Sequence, residues 1–133
     1  MLRLANDAYL RLVAHCYDGL PSEACGLLAG SLGDGLASLC YPAANEAASA
    51  LVYTVDSRDQ FRAYQDAEGR GAEIIGVFHS HTHTDAYPSP TDVAQAPDPS
   101  WHYVIVSLRD TAPVLRSYRI VDGKIAEEPV VLE

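Results

Sequence analysis

GVFHSHTHTDAYPSPTD, residues 76–92, sets three histidines into five positions behind an apolar run and closes on Ser-Pro-Thr-Asp. In an extended chain alternate side chains share a face, so His79 and His81 point the same way with Cβ atoms about 6–7 Å apart, near enough for both rings to reach one ion. A catalytic zinc typically takes three protein ligands and leaves a fourth position to water, so the pair requires a third partner. Two residues qualify. His83 continues the alternation, and Asp92, eleven residues after His81, would serve if the chain turned back. Periodicity does not separate them. Ser89-Pro90-Thr91-Asp92 also reads as a helix start, with Ser89 as N-cap, Pro90 at N1 and Asp92 at N3 near the positive end of the helix dipole. Such a start would hold the Ser89 hydroxyl and the Asp92 carboxylate in fixed places beside the strand end. His15 and His102 stand alone, and each is read as structural.

Upstream of the histidines, Glu73 to Phe78 reads as a buried strand through Ile74, Ile75 and Val77. Ser57-Arg58-Asp59-Gln60 has the form of a capping box and opens a helix carrying Phe61 and Tyr64. Near the start, Tyr9, Leu12, Val13, Cys16, Tyr17 and Leu20 recur at helical steps after an Asn6 or Asp7 cap. Ala24–Ala29 and Leu36–Tyr41 flank the glycine-rich GSLGDG as a hairpin, and Leu51–Val55 reads as a further short strand. Downstream, Tyr103–Ser107, Val114–Ile120 and a final strand near Ile125–Val131 follow, the last after an Asp122-Gly123 turn. The order α-β-β-β-α-β-α-β-β-β is neither a regular βαβ repeat nor all-β. The expected class is therefore α/β in the broad sense (α+β), a mixed sheet flanked by helices.

The bulk numbers narrow the function. At 133 residues and 48% apolar, the chain suits one domain spanning 1–133. Its 9 Lys+Arg against 18 Asp+Glu give a formal charge of -9, which argues against nucleic acid or an anionic membrane as partner. No signal-peptide pattern or membrane-length apolar stretch is present, and the three cysteines, Cys16, Cys25 and Cys40, form no Cys-x-x-Cys pair. A cytoplasmic address with reduced thiols is the expectation. Apolar residues on the first helix could support a homodimer.

His79-Ser80-His81, seven residues, Ser89, two more and Asp92 resemble the His-x-His-x(7)-Ser-x(2)-Asp pattern of the JAMM (MPN-plus) metallopeptidases. The upstream glutamate of that pattern falls on Glu23, in PSEACGLLAG. The resemblance extends to the element order and implies the JAMM/MPN, cytidine-deaminase-like fold, with a mixed, curved β-sheet flanked by helices. It implies that His79, His81 and Asp92 hold one Zn²⁺, that Glu23 is the general base, and that Ser89 donates a hydrogen bond to the oxyanion. It demotes His83 to the rim. The same two stretches look most like the bacterial stand-alone branch that removes cysteine from a sulfur carrier. The implied substrate is a ubiquitin-like sulfur-carrier protein with a C-terminal Gly-Gly tail, and the implied reaction releases cysteine within cysteine biosynthesis. The runners-up are a deconjugating or trimming peptidase for another ubiquitin-like protein, a non-catalytic MPN scaffold, and a thiol hydrolase using Cys25.

Overall fold

A computed structural model describes residues 1–133. Its elements run β1 (Leu2–Leu4), α1 (Asn6–Asp18), β2 (Cys25–Ser31), β3 (Leu36–Ala43), α2 (Ser57–Gly69), β4 (Glu73–His81), α3 (Pro90–Ala94), β5 (His102–Ser107), β6 (Val114–Val121), β7 (Lys124–Glu128) and β8 (Val130–Leu132). All strands join one sheet in the order β7-β6-β5-β4-β2-β3-β1-β8. It is mixed: β4 runs parallel to β5 and β1 parallel to β3 and β8, while the other pairings are antiparallel. No helix is long and apolar enough to cross a membrane.

The central strands are buried on both faces, which is why they read as apolar runs rather than alternating ones. On one face Leu12 and Cys16 of α1 meet Leu28, Ile75, Phe78, Val104 and Val106. On the other Ala63 and Ala67 of α2 meet Leu27, Ala29, Ile74, Val77, Tyr103 and Ile105. Ile74 and Val77 lie on the same face although three residues apart, because β4 carries a bulge. Leu28 pairs with Gly76 and Ala29 with Ile74, which leaves Ile75 as an extra residue. A bulge inserts one residue and reverses the alternation beyond it. The regular stretch after Gly76 therefore places Val77, and with it His79 and His81, on the α2 face.

Several elements differ from their sequence reading. β4 continues through both histidines instead of ending at Phe78. Leu51–Val55 forms no strand; it belongs to an irregular strap between β3 and α2, tied by a single bridge between Asn45 and Val55. The cap of α2 is Asp56, whose side chain accepts from the amides of Arg58 and Asp59, so Ser57 is already inside the helix. α1 begins after Ala5 with no side-chain cap and ends before Leu20, which is exposed. The expected last strand is two. Pro129 cannot donate to a ladder, so β7 stops at Glu128, and the chain steps across to the opposite edge of the sheet as β8. Pro129 carbonyl then accepts from Leu2 amide at 2.9 Å, and β8 pairs with β1. Because consecutive strands occupy the two edges, the sheet curls until it is nearly closed. β1 itself is too short to leave a periodic signal.

Glu128 stands at that crossing, buried, and its Oε2 accepts from His102 Nδ1 at 2.6 Å and Ser117 Oγ at 2.8 Å. Burial alone would raise its pKa, but the hydrogen bonds from His102 and Ser117 prevail and lower it to about 2. A carboxylate titrates near 4.3 in an unfolded chain, so the charged form stabilises the fold fully above that pH. The contribution is lost as pH falls towards 2. Urea midpoints at pH 7 and pH 3 should show wild-type protein losing on the order of 1–3 kcal/mol more than Glu128→Gln; equal losses would remove Glu128 from the acid response.

Candidate metal centre

The histidine strand is locked to the start of β2 one residue beyond their last paired positions, Cys25 and His79. Ser80 amide donates to Ala24 carbonyl at 2.9 Å, and Ala24 amide donates to Ser80 Oγ at 2.8 Å. Ser80 is fully buried and faces away from the two histidines. This seam carries Glu23 up to the end of β4. The parallel step from β4 to β5 demands a crossover, and residues 82–101 supply one with α3 inside it. The centre thus lies at the carboxyl end of a parallel strand, where such crossovers leave a crevice.

Three donor atoms meet there. His79 Nε2 and His81 Nε2 are 3.1 Å apart, and Asp92 Oδ2 lies 3.1 Å from the first and 3.0 Å from the second. His79, His81 and Asp92 are the group whose ligand atoms all fall within 4.8 Å of one another. Asp92 is therefore the residue that the fold brings to the pair. His83, the alternative of the alternation reading, is exposed, because the chain leaves β4 after His81 and bends towards α3. Ser89 caps α3 as its sequence predicts: its Oγ accepts from Asp92 amide at 3.1 Å, and its own amide donates to Asp92 Oδ2 at 2.9 Å. This reciprocal box holds the carboxylate against the histidines.

The donor set fits a divalent cation. His81 Nδ1–H donates to Asp85 carbonyl at 2.7 Å, so the neutral ring presents a lone pair at Nε2. That lone pair faces a carboxylate oxygen and a second imidazole nitrogen, and the neutral cluster has too few protons for its close pairs. A cation removes the deficit, and two imidazole nitrogens with one carboxylate oxygen are a donor set that zinc accepts. Burial lowers the His79 pKa and favours its neutral, ligating form. For His81 burial acts downwards too, but the Asp92 and Asp85 hydrogen bonds outweigh it and raise the value. Burial opposes ionisation of Asp92, yet the two imidazoles against it, whose protonated rings would donate to it, hold its carboxyl well below the usual carboxylate range.

Glu23 lies in the turn ahead of β2, 5% exposed, and its Oε1 has no hydrogen-bond partner. Burial pushes its pKa up to about 7; the charge of His81 opposes this and that of Asp92 adds to it. Such a buried, unpartnered carboxylate is costly unless something else engages it. Tyr53, from the strap, stacks on His79 with ring centroids 4.2 Å apart and planes 19° from parallel. Beside it opens a cleft of about 250 Å³ lined by Leu27, Tyr53, Gln60, Val77 and Trp101. Neither Tyr53 nor Asn45, whose side chain organises the strap, was singled out by the sequence. The one local signal is that Asn readily bonds the backbone two residues on, as Asn45 Oδ1 does to Ala47 amide.

The remaining candidates are structural. His15 Nε2 lies 3.0 Å from both the Cys25 and the Ala43 carbonyls, and His102 serves Glu128. Burial pushes the Cys25 thiol up to about 12, with Asp59 and Glu23 adding to it, and Sγ donates to Ala44 carbonyl at 3.6 Å. Burial works against the thiolate and His15 is engaged by carbonyls, so the geometry gives the thiol-hydrolase reading no support.

A nearly closed mixed sheet with this centre at its crossover defines a JAB-type domain. The chain belongs to the family of prokaryotic homologs of the JAB domain, whose model matches residues 5–121. It is 43% identical over 131 residues to the CysO-cysteine peptidase of Mycobacterium tuberculosis, covering 98% of this chain and 90% of that one. It is 33% identical over 111 residues to the desampylase of Haloferax volcanii, covering 80% of each. The crystal structure of a JAB1/MPN domain protein from Archaeoglobus fulgidus has the same fold, with a TM-score of 0.63 at 15% identity over 100% of this chain and 97% of that one.

Zinc titrated into metal-free protein should bind at about one ion per chain and, at a hundredfold excess over Kd, stabilise it by roughly 2.7 kcal/mol. Asp92→Asn should abolish this gain and His83→Ala leave it intact, as calorimetry and melting curves would record; the reverse order would make His83 the ligand. Ser80→Ala strands the buried Ala24 amide, and it should cost about 1–3 kcal/mol in chemical denaturation. Loss of nothing measurable would mean that the seam is not what holds Glu23 in place.

Proposed function

We propose that the protein is a zinc-dependent metallopeptidase that hydrolyses the amide bond after the C-terminal Gly-Gly of a ubiquitin-like sulfur-carrier protein and releases cysteine. The observation that carries this reading is the juxtaposition of three converging metal donors with a buried carboxylate that has no partner of its own. The substrate class is supported by the 43% identity, over nearly the whole chain, to a protein named for CysO-cysteine.

The residues divide the work as follows. His79, His81 and Asp92 would hold the ion. When bound, zinc supplies a water whose pKa falls from 15.7 to roughly 7 and a Lewis acid for the scissile carbonyl. Glu23 takes the proton of the attacking water and returns it to the leaving amine; a value raised to about 7 suits a group that must do both near neutrality. Ser89 Oγ is used as an acceptor by the α3 cap, so its proton stays free to donate to the oxyanion. Tyr53 keeps the His79 ring in place by stacking on it. β4 is paired on both sides, by β2 and β5, and offers the carrier's tail no free edge. The cleft lined by Tyr53, whose ring lies on His79, is the approach we assign to the tail.

The relative named desampylase favours one second reading, deconjugation of another ubiquitin-like protein. A non-catalytic scaffold would have no use for a complete donor set. Purified protein should remove one cysteine mass from a carrier bearing Gly-Gly-Cys, and chelator should prevent it. Glu23→Gln should bind zinc as wild type does yet lose about 10²-fold or more in kcat, the usual range for a general acid–base. Preferential cleavage of a Gly-Gly-Lys isopeptide would shift the assignment to deconjugation; failure on both with zinc bound would leave a scaffold.

A further inference from the structure

The Glu23 carboxylate has no side-chain tether, so its place depends on its backbone. Both backbone groups of Glu23 are held by the strap of residues 44–56. Glu23 amide donates to Ser49 carbonyl at 2.7 Å, and Asn45 Nδ2 donates to Glu23 carbonyl at 2.9 Å. The same amide nitrogen donates to Val52 carbonyl at 3.1 Å, while Asn45 Oδ1 accepts from Ala47 amide at 3.0 Å and Thr54 amide at 2.9 Å. An asparagine amide has two N–H donors and two oxygen lone pairs, and Asn45 uses all of them. The oxygen builds the turn of the strap; the nitrogen joins that turn to Glu23. Thr54 adjoins Tyr53, whose ring lies on His79. One side chain therefore links two groups that flank the metal centre from opposite directions in the chain.

We propose that Asn45 is a positioning residue that sets the Glu23 carboxylate against the metal-bound reactants by clasping the Glu23 backbone to the strap. The inference rests on the reading of Glu23 as the proton carrier. It goes further in making the strap part of the catalytic geometry rather than a passive connection. Aspartate at this position would keep the oxygen that accepts from Ala47 and Thr54, and it would turn the second atom from a donor into an acceptor facing two carbonyls. The turn survives and the clasp is lost.

Asn45→Asp should therefore fold, bind one zinc per chain and keep wild-type hydrogen exchange along β4 and β5. Exchange of the Glu23 amide should quicken by about tenfold or more. On the cysteine-loaded carrier kcat should fall by about tenfold or more with KM within about threefold, the pattern of a group that acts in the transition state. Asn45→Ser, which shortens the side chain without adding charge, carries the same readouts should the aspartate variant fold poorly. Unchanged Glu23 exchange, protection lost uniformly across the sheet, or a rise in KM at constant kcat would each overturn the proposal. Wild-type protein that leaves the carrier uncut would dismiss that substrate instead, and the exchange result alone would then decide whether the clasp exists.

Discussion

The candidate metal centre depends on the seam between residues 24 and 80. Two hydrogen bonds there, from Ser80 amide to Ala24 carbonyl and from Ala24 amide to Ser80 Oγ, join the end of the histidine strand to the residue after Glu23. Ser80 sits between the histidines in sequence and faces the opposite way in space. It spends its side chain on the backbone of β2 while its neighbours face the crossover. Buried hydrogen bonds of this kind add little net energy when made and cost far more when one partner is left alone, so the seam specifies position more than it stabilises. Movement of the seam would separate Glu23 from His81 whatever became of the rest of the sheet.

Around this seam, groups with ordinary local duties also face the candidate metal centre. Asp92 completes the cap of a five-residue helix and brings its carboxylate to the two imidazoles; the cap fixes the carboxylate without the rotamer freedom that a long side chain would lose. Tyr53 closes one side of the cleft and stacks on His79. The local costs are visible: a buried glutamate with an unpartnered oxygen, and imidazole and carboxylate groups facing each other with too few protons between them. Sites built to bind charge carry such groups, and the remainder of the fold must offset them.

Much of this was legible in the residue order, and the limits have physical causes. The spacing of His79 and His81 read correctly because alternation is a property of any extended chain, and the Ser89 cap read correctly because it is made within four residues. The choice between His83 and Asp92 could not be made from local geometry, since it turns on where a twenty-residue crossover doubles back. Glu23 rested on a resemblance alone. Leu51–Val55 looked like a strand because it is a short run rich in apolar and β-branched residues, but Leu51 is exposed and the backbone of the run bonds to Asn45 and Glu46. Ser57 looked like a cap because Ser-x-x-Gln satisfies the pattern, but Asp56 stands one residue earlier and takes the amides of Arg58 and Asp59. The closing strand split because Pro129 ended one ladder just where the sheet had curled far enough to start another.

What the sequence determined by itself was the kind of chemistry: two imidazoles on one face, a capped carboxylate after them, apolar runs enough for a mixed sheet, and a net negative charge. These follow from periods of two and of about 3.6 residues and from side-chain capacity, all of them short-range. Only the tertiary structure decided which face the imidazoles took, because the extra residue at Ile75 reverses the alternation of β4. It alone chose Asp92 over His83, carried Glu23 to the end of β4, and gave Asn45 a purpose. Each of those depends on contacts between segments tens of residues apart, whose register is set by bulges, crossovers and burial acting together and leaves no local trace in the chain.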